Sequence, residues 1–404
     1  MKMITEPARQ IPVVREVDVV VAGGGPAGIA AATAAARNGA KTLLVERYGY
    51  LGGMMTGSWV TWFLGFGDGQ KQVVRGLPDE FVRRLGEMGA LVNARNKSGD
   101  VNSDAEAIKC LSIVMLEEAG VEMLLHSLVA ATIVENNAVK GIVVENKSGR
   151  QAILAKVVID ATADGDVAHF AGAETQTDTH DISLCLRVEG VDRPKFDEFK
   201  KANPAAWQKL LETLKAQRGV VPADTDRFSG RSAIDVNDLT FMENDSRKRV
   251  MKGLMFMKKN VPGYENAKLA RTAPQLGIRE SRKIVGEYAL TEEDILASRK
   301  FPDTIGRCGA HMKGYELYDL KGLDYDIPYR CLVPKKVENL LASGRCVSAT
   351  HGAINTLRLI VPCMLTAEAA GTAAALAVSK GVPPRNIAVS EFQDRMRKQG
   401  NNLG

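Results

Sequence analysis

The chain has 404 residues, of which 45% are hydrophobic and 25% are charged, and its formal net charge is +5. These are ordinary values for a globular protein, and the length suggests two domains with ample core. Because the net charge is small and no long run of lysines and arginines occurs, the sequence argues against a nucleic-acid-binding protein.

Targeting and metal-binding signals are weak. No apolar stretch reaches the roughly 18–20 residues that a membrane span needs, and the first ten residues, MKMITEPARQ, lack the apolar core of a signal peptide. We therefore expect a cytoplasmic protein without a membrane span. The six cysteines form no C-x-x-C motif and the five histidines have no metal-ligand spacing, so we expect no metal, iron–sulfur cluster or redox-active dithiol.

The strongest signal lies between Val17 and Glu46. An apolar run ending at Ala22 predicts a buried parallel strand. The sequence GGGPAG that follows contains G-x-G-x-x-G, and an alanine-rich stretch up to Arg37 predicts a helix. A second strand then ends at Glu46, about 20 residues beyond the glycines. Strand, glycines, helix, strand and acid in this order predict a Rossmann-type dinucleotide site.

Each part of this motif has a physical role. Gly23 makes the tight turn, Gly25 lets a pyrophosphate approach the backbone, and Gly28 lets helix and strand pack closely. The phosphates would accept hydrogen bonds from free N–H groups at the helix N-terminus. The Glu46 carboxylate can accept hydrogen bonds from ribose hydroxyls.

The rest of the chain predicts an α/β domain that is interrupted by a second domain. The first part, residues 1–174, continues with a β-meander whose last predicted strands are 151–154 and 156–161. Residues 175–330 are richer in charge and contain helix-like segments, among them 196–218, so we interpret them as a capping or substrate domain. Residues 331–404 return to the first domain with a strand, a glycine turn and a small-residue helix.

Two features favour FAD over NAD. The order of meander, KVVIDATADGD strand and returning ASGRC segment resembles the FAD-binding fold of the glutathione reductase type. Only one dinucleotide fingerprint is present, whereas a disulfide reductase would need a second one for NAD(P)H.

Five segments resemble the family of FAD-dependent oxidoreductases related to the flavoproteins of succinate dehydrogenase and fumarate reductase: LGGMMTG, ATADGDVAHFAGA, QLGIRESRKIVGEYALTEED, YDIPYRCLVPKKVENLLASGRCVSATHGA and LRLIVPCMLTAEAAGTAAALA. The resemblance covers nearly the whole chain and is weakest between about 190 and 260. It implies an α/β fold with a glutathione-reductase-type FAD-binding Rossmann-like domain, a parallel sheet with a β-meander, and a capping domain.

The resemblance also implies roles for individual residues. These positions would bind FAD, from the pyrophosphate loop through the adenosine to the flavin end: Gly23, Gly25, Pro26, Ala27, Gly28, Glu46, Arg47, Val129, Asp164, Gly52, Gly53, Gly344, Arg345 and Leu357. Leu357 belongs to the segment 355–364, which would direct a helix N-terminus at the flavin C2 carbonyl. We expect FAD to be bound non-covalently, because the first histidine is His126, well beyond the N-terminal flavin loop. One position departs from the family pattern: Glu368 stands where members commonly have glutamine.

The flavin carries the difficult chemical step, so the protein must supply orientation, charge and protons. His351 follows the Gly344 turn and is our candidate acid, base or substrate ligand. Arg358 is a candidate for binding an anion or the flavin edge. Arg330 is a third candidate, because it precedes the return of the chain to the flavin domain. A structural role for each of them stays open.

Two further pairs could be functional or structural. A helix predicted over 280–290 would place Arg279 and Arg282 on one face, which suits a carboxylate clamp but equally suits ion pairs with Glu280, Glu287 or Asp294. We favour the ion pairs. Cys308 and His311 are near neighbours in a predicted loop, and such a pair is usually incidental.

The sequence favours an FAD-dependent oxidoreductase that transfers a hydride between flavin and a small polar organic substrate held between its two domains. A flavin monooxygenase is one alternative, although Asp164-Gly165 lacks the arginine and the following pattern of the hydroxylase motif. A non-catalytic electron-transfer subunit of a larger complex is the other. The sequence identifies neither the electron donor nor the acceptor, and homo-oligomerisation stays open.

Overall fold

A computed structural model of the chain describes residues 3–222, 225–313, 316–318 and 322–404. These fall into two compact units. Unit 1 comprises Met1–Gly53, Thr61–Thr177 and Arg282–Gly404, and unit 2 comprises Met54–Val60 and Asp178–Ser281. The second-domain boundary predicted at residue 330 therefore lies at 281. The reason is that Arg282–Ile284 pairs in antiparallel fashion with Thr175–Thr177, which anchors the returning chain in unit 1.

The strands of the described residues are, in chain order, β1 (Val13–Ala22), β2 (Thr42–Val45), β3 (Trp62–Phe63), β4 (Val101–Asn102), β5 (Glu122–Leu124), β6 (Leu128–Glu135), β7 (Ala138–Asn146), β8 (Gly149–Asp160), β9 (Thr175–Thr177), β10 (Ile182–Glu189), β11 (Thr225–Phe228), β12 (Lys268–Thr272), β13 (Arg282–Ile284), β14 (Thr304–Cys308), β15 (His311–Lys313), β16 (Glu316–Tyr318), β17 (Tyr325–Pro328) and β18 (Leu340–Ala342).

The α-helices of the described residues are α1 (Pro26–Arg37), α2 (Met54–Gly57), α3 (Leu77–Glu87), α4 (Ala105–Glu118), α5 (Asp166–Phe170), α6 (Arg193–Ala202), α7 (Pro204–Ala216), α8 (Val236–Asn260), α9 (Glu292–Leu296), α10 (His351–Leu357), α11 (Ile360–Lys380) and α12 (Val389–Lys398).

The sheet of unit 1 carries the dinucleotide motif. Its strand order is β5-β2-β1-β8-β7-β6, with β18 paired to the end of β8. β5, β2, β1, β8 and β18 run parallel, whereas β6, β7 and the first half of β8 form an antiparallel meander. The strands predicted separately at 151–154 and 156–161 are one strand, β8, because β1 pairs alongside it from Ala152 to Asp160. β7 pairs with the first half of β8 and β18 with its end. This arrangement confirms the predicted α/β fold with a parallel sheet and a β-meander.

Helix α11 is the central helix of unit 1. By length and composition alone it could cross a membrane, since its most apolar window has a mean hydropathy of 1.5, but all of that window is buried inside the protein. It packs against α1, and a side chain at Gly371 would bring its Cβ within 2.2 Å of Ala31 O. The small-residue helix, which the sequence predicts over 366–379, begins earlier, at Ile360, because Pro362 lies in its first turn, where a missing N–H is tolerated.

Glu368 is a buried carboxyl in the middle of α11, with 1% of its surface exposed. Its Oε2 accepts a hydrogen bond from Leu77 N at 2.9 Å, and its Oε1 accepts one from Asn401 Nδ2 at 2.7 Å. Glu368 therefore joins α11 to the start of α3 and to the C-terminal segment. Burial raises the pKa of Glu368 to about 7. A cavity of about 360 Å³ adjoins it near Arg37, at the opposite end of α1 from the glycine loop.

We expect Glu368 to make the free energy of unfolding depend on pH. Its pKa in the folded state lies above the ordinary value of 4.5, so its contribution is complete below about pH 4.5 and is lost as the pH rises through 7. The loss amounts to about 3 kcal/mol. Glu368→Gln should equal the wild type at pH 4.5 and exceed its stability at pH 8 by up to that amount. Urea unfolding at the two pH values measures the difference.

Glu80 provides the matched control. Arg37 donates two hydrogen bonds to its carboxylate and holds its pKa below the ordinary value. Glu80→Gln should therefore lower stability at pH 8, opposite in sign to Glu368→Gln. Equal pH slopes for the wild type and Glu368→Gln would contradict the account.

Unit 2 is built around a three-stranded antiparallel sheet of order β11-β10-β12 and the 25-residue helix α8. The helix predicted over 196–218 is two helices, α6 and α7. Asn203 separates them, because Pro204 disfavours helical backbone at the preceding residue, and Asn203 has φ −132° and ψ 57°.

Candidate cofactor-binding site

The glycine loop between β1 and α1 is shaped by close backbone contacts. Gly23 has φ +108°, and a Cβ there would lie 2.4 Å from Ala161 O. A Cβ at Gly28 would lie only 1.7 Å from Gly23 O. These two glycines are therefore required by the protein itself, as the tight turn and the close helix–strand packing predict.

Gly25 differs from its neighbours. It is the N-cap of α1, Pro26 is the first helical residue, and no side chain caps the helix. The nearest described atom to a Cβ at Gly25 would be Gly53 Cα, 3.8 Å away. The protein thus leaves room above Gly25 next to an uncapped helix N-terminus. This combination fits a pyrophosphate that approaches the backbone closely.

A second glycine segment lies beside this loop. Gly52 N donates a hydrogen bond to Gly24 O at 2.8 Å, and a Cβ at Gly53 would lie 2.8 Å from Gly25 Cα. Both Gly52 and Gly53 have positive φ. The segment after β2 therefore runs along the glycine loop, as expected for a chain that passes close to the cofactor.

Glu46 is 6% exposed at the end of β2. Its Oε2 accepts a hydrogen bond from Gly24 N at 2.6 Å, and its Oε1 accepts one from Tyr48 N at 2.8 Å. Each carboxylate oxygen can accept a further hydrogen bond, so Glu46 could bind ribose hydroxyls while it holds the glycine loop. Arg47 next to it is exposed, with its guanidinium carbon 4.9 Å from the centre of the Tyr48 ring.

We expect Glu46→Ala to weaken FAD binding by about 1–3 kcal/mol, the scale of a hydrogen bond to a charged group. Because Glu46 also accepts from Gly24 N, thermal stability of the apoprotein should fall as well, while the visible spectrum of bound flavin should not change. Titration of apoprotein with FAD measures the affinity. Wild-type affinity in this variant would show that the end of β2 does not contact the cofactor.

The turn after β8 faces the returning C-terminal chain. Asp164 is paired with Arg345, Nη2 to Oδ1 at 2.9 Å, and both side chains are almost fully buried. Arg282 donates to Asp164 O at 2.9 Å and forms an ion pair with Asp166. Arg345 and Arg282 thus both stabilise the turn that carries Asp164, the acid predicted to lie near the pyrophosphate.

Gly344 brings the end of β18 to the start of α1. It has φ +72°, and a Cβ there would lie 2.8 Å from Ala27 Cβ. Its N–H donates to Thr366 Oγ1 at 3.1 Å. Gly344 and the G-x-G-x-x-G loop, 316 or more residues apart in the chain, are therefore neighbours. Val129 lies half-buried at the start of β6, against the core of the same sheet.

Helix α10 carries two of the three predicted catalytic residues. His351 is exposed at its first position and Arg358 is half-buried at its C-cap, while Leu357 between them is fully buried. The structure adds a third polar group near this helix. His311 is buried, with Nε2 3.6 Å from Glu292 Oε1, and a Cβ at Gly352 would meet Glu292 Oε2 at 2.6 Å.

The remaining candidates have other partners. Arg330 donates two hydrogen bonds to the Asp303 carboxylate, from Nε to Oδ2 at 3.0 Å and from Nη2 to Oδ1 at 3.2 Å. Its catalytic role stays a prediction that competes with this ion pair. Cys308 is fully buried, and burial raises its pKa. Its thiol donates to Gly65 O at 3.8 Å, so a reactive thiolate is not favoured.

The prediction of a helix over 280–290 is wrong, because Arg282–Ile284 forms strand β13, which pairs with β9. Arg279 and Arg282 therefore share no helix face. Arg279 donates to Asp181 O and Ser183 Oγ within unit 2. The ion-pair interpretation of Arg282 is supported, but with Asp166 as its partner.

Among the residues that the structure describes, no group of three or more His, Cys, Asp or Glu side chains could hold a metal ion. Sequence reasoning missed Thr366, Glu292 and Arg282 as supports of the site. Of these three, only Arg282 was singled out from the sequence, and it was placed in a predicted helix instead of strand β13.

The comparison with known families decides the class of the protein. The family model described as FAD dependent oxidoreductase matches residues 18–396. The chain belongs to this FAD-dependent oxidoreductase family. An FAD cofactor agrees with the glycine loop, the room above Gly25 and the position of Glu46.

Curated relatives match part of the chain. Thiamine thiazole synthase from Methanococcus vannielii is 32% identical over 159 residues, which cover 36% of this chain and 56% of that protein. Digeranylgeranylglycerophospholipid reductase 1 from Methanococcoides burtonii is 27% identical over 191 residues, covering 43% of this chain and 45% of that protein. The chain thus spans about half the length of the curated relatives it matches.

A solved structure of a flavin-dependent brominase variant superposes with a TM-score of 0.50 at 12% identity, covering 95% of this chain and 84% of that chain. At this identity the likeness shows the fold alone. It confirms an FAD-binding Rossmann-type fold with a second domain.

We expect the bound FAD to be non-covalent. His126 N donates to Tyr48 O at 3.2 Å, and a Cβ at Gly49 would lie 2.4 Å from the His126 ring. His126 therefore lies beside the segment after Glu46, on the adenosine side of the glycine loop. Acid denaturation of purified protein should release all of its FAD into the supernatant. Yellow colour that stays with the precipitated polypeptide would contradict this expectation.

Proposed function

We propose that the protein transfers a hydride between the flavin of its bound FAD and a small polar organic substrate beside α10. The observation that carries this proposal is the position of α10. This helix follows Gly344 in the chain, and Gly344 lies against Ala27 in the first turn of α1. His351 is the first residue of α10 and Arg358 is its C-cap. FAD supplies the hydride chemistry when it is bound. His351 would take or give a proton near neutral pH, and Arg358 would fix a carboxylate or enolate-like oxygen with a charge that persists at any working pH.

Both directions of the reaction are compatible with these residues. Oxidation of a substrate C–H bond would need His351 as a base, and reduction of a C=C bond would need it as an acid. The name of the Methanococcoides relative, a reductase, supports including the reductive direction. The relation to the succinate dehydrogenase and fumarate reductase flavoproteins rests on the sequence motifs.

Anaerobic flavin spectroscopy tests the proposal. Oxidised enzyme is mixed with hydroxy acids, amines and cyclic alcohols, and photoreduced enzyme is mixed with enoates. We expect one compound class to bleach or restore the flavin absorbance with a rate that saturates in substrate concentration. No response to any class in either direction would count against the proposal. NAD(P)H-dependent oxygen uptake would instead favour a monooxygenase, and copurification of a redox partner would favour an electron-transfer subunit.

A further inference from the structure

Asn355 is a buried polar side chain in α10. It opens the segment 355–364, which the family resemblance places at the flavin C2 carbonyl, but neither the resemblance nor the proposed reaction assigns a role to its carboxamide. It is 8% exposed, and its Oδ1 has no hydrogen-bond partner among the residues that the structure describes. An unsatisfied buried acceptor costs about 1–3 kcal/mol. Buried amide oxygens in native proteins are therefore nearly always paired, with protein, water or ligand.

The helix places Asn355 between the two candidate catalytic residues. His351 precedes it by four positions and Arg358 follows it by three, so the three side chains lie on one face of α10. The neighbouring positions hold the helix in the protein. Thr356 Oγ1 accepts from Met312 N at 2.9 Å, and Leu357 is fully buried. One face of α10 thus carries an exposed imidazole, a buried carboxamide and a guanidinium.

Contacts along the glycine loop fix the direction of the cofactor. Glu46 binds Gly24 N on one side of the loop, and Gly344 meets Ala27 on the other. Cys363 Sγ is 3.7 Å from the Cβ position of Gly344 and donates to Leu357 O at 3.4 Å. A dinucleotide with its adenosine at Glu46 would therefore extend its flavin toward α10.

We propose that Asn355 binds the pyrimidine edge of the isoalloxazine ring, with Oδ1 accepting from the flavin N3–H and Nδ2 donating to an adjacent ring carbonyl. This edge is an imide, with an N–H donor between two carbonyl acceptors. A carboxamide offers one acceptor and two donors side by side, so it can pair with the N–H and a carbonyl together. The pairing supplies the donor that the buried Oδ1 requires.

FAD and its N3-methyl analogue, 3-methyl-FAD, test the inference without reliance on substrate turnover. Apoprotein is prepared from the wild type, Asn355→Ala and Asn355→Ser, and the dissociation constants of both flavins are measured by fluorescence quenching. Wild-type protein should prefer FAD over 3-methyl-FAD by about tenfold or more, the value of one neutral hydrogen bond. Both variants should bind the two flavins about equally. The midpoint potential of bound FAD should also shift in both variants.

Asn401→Ala is the matched control. Asn401 is also a nearly buried asparagine whose Oδ1 has no hydrogen-bond partner in the described part of the chain, but it lies at Glu368, away from the glycine loop. This variant should keep the wild-type preference for FAD. Equal binding of the two flavins by the wild type, or an unchanged preference in Asn355→Ala and Asn355→Ser, would overturn the inference. Either result leaves the hydride-transfer proposal standing, because that proposal is tested by flavin bleaching with substrates.

Discussion

Gly25→Val should abolish FAD binding while the apoprotein stays folded. A Cβ at Gly25 meets no described atom closer than Gly53 Cα at 3.8 Å, and the backbone of Gly25, with φ −76° and ψ −173°, suits any residue. The valine side chain would occupy the room above the helix N-terminus that the pyrophosphate needs. We expect FAD affinity to fall by about 3 kcal/mol or more, roughly 100-fold, as phosphate hydrogen bonds are lost.

Gly28→Val is the matched comparison at the same loop. Its Cβ would lie 1.7 Å from Gly23 O, so this variant should lose stability by about 3 kcal/mol or more in addition to flavin. Thermal unfolding of the two apoproteins and the flavin-to-protein absorbance ratio measure both effects. A Gly25→Val protein that purifies with full flavin would show that the cofactor does not approach this residue.

His351→Ala and Arg358→Ala should each keep near-normal FAD content yet slow the substrate-dependent flavin reaction by roughly 100-fold, the usual effect of one acid–base or charge-stabilising group. His351 is exposed at the first position of α10, so its removal disturbs little packing. Stopped-flow measurement of flavin reduction or reoxidation gives the rate. The rate must be expressed per bound flavin, not per protein.

A purely structural role predicts the opposite pattern. FAD or stability would be lost, and the remaining holoenzyme would react at the wild-type rate. Arg330→Ala is a useful comparison, because its guanidinium is bound to Asp303. A loss of stability with an unchanged rate per flavin would favour the ion pair over the predicted catalytic role. Unchanged rates per flavin in His351→Ala and Arg358→Ala would move the chemistry elsewhere on this site, with buried His311 and its neighbour Glu292 as the next candidates.

The dinucleotide motif was predictable because its signals are local. Predicted strands and helix agree with β1, α1 and β2. Local signals also existed where prediction failed. Pro204 marks the break between α6 and α7, and a proline at that position disfavours a continuous helix.

Other features depend on contacts that no local pattern records. Residues 280–290 have helix-like spacing, but the pairing of β13 with β9 overrides that preference. The ion pair of Asp164 with Arg345 joins residues 181 positions apart. Likewise, His311 and Glu292 meet at α10 only because three separate segments fold together. The cofactor loop could therefore be predicted from sequence, whereas the polar surroundings of α10 required the structure.

A crystal structure of the purified protein with its own cofactor tests the central claim most directly. We expect one FAD per chain, with the adenosine ribose at Glu46, the pyrophosphate above Gly25 and the isoalloxazine ring against α10 between His351 and Arg358. A flavin bound with its ring away from α10, or a cofactor that leaves the glycine loop uncontacted, would contradict the account.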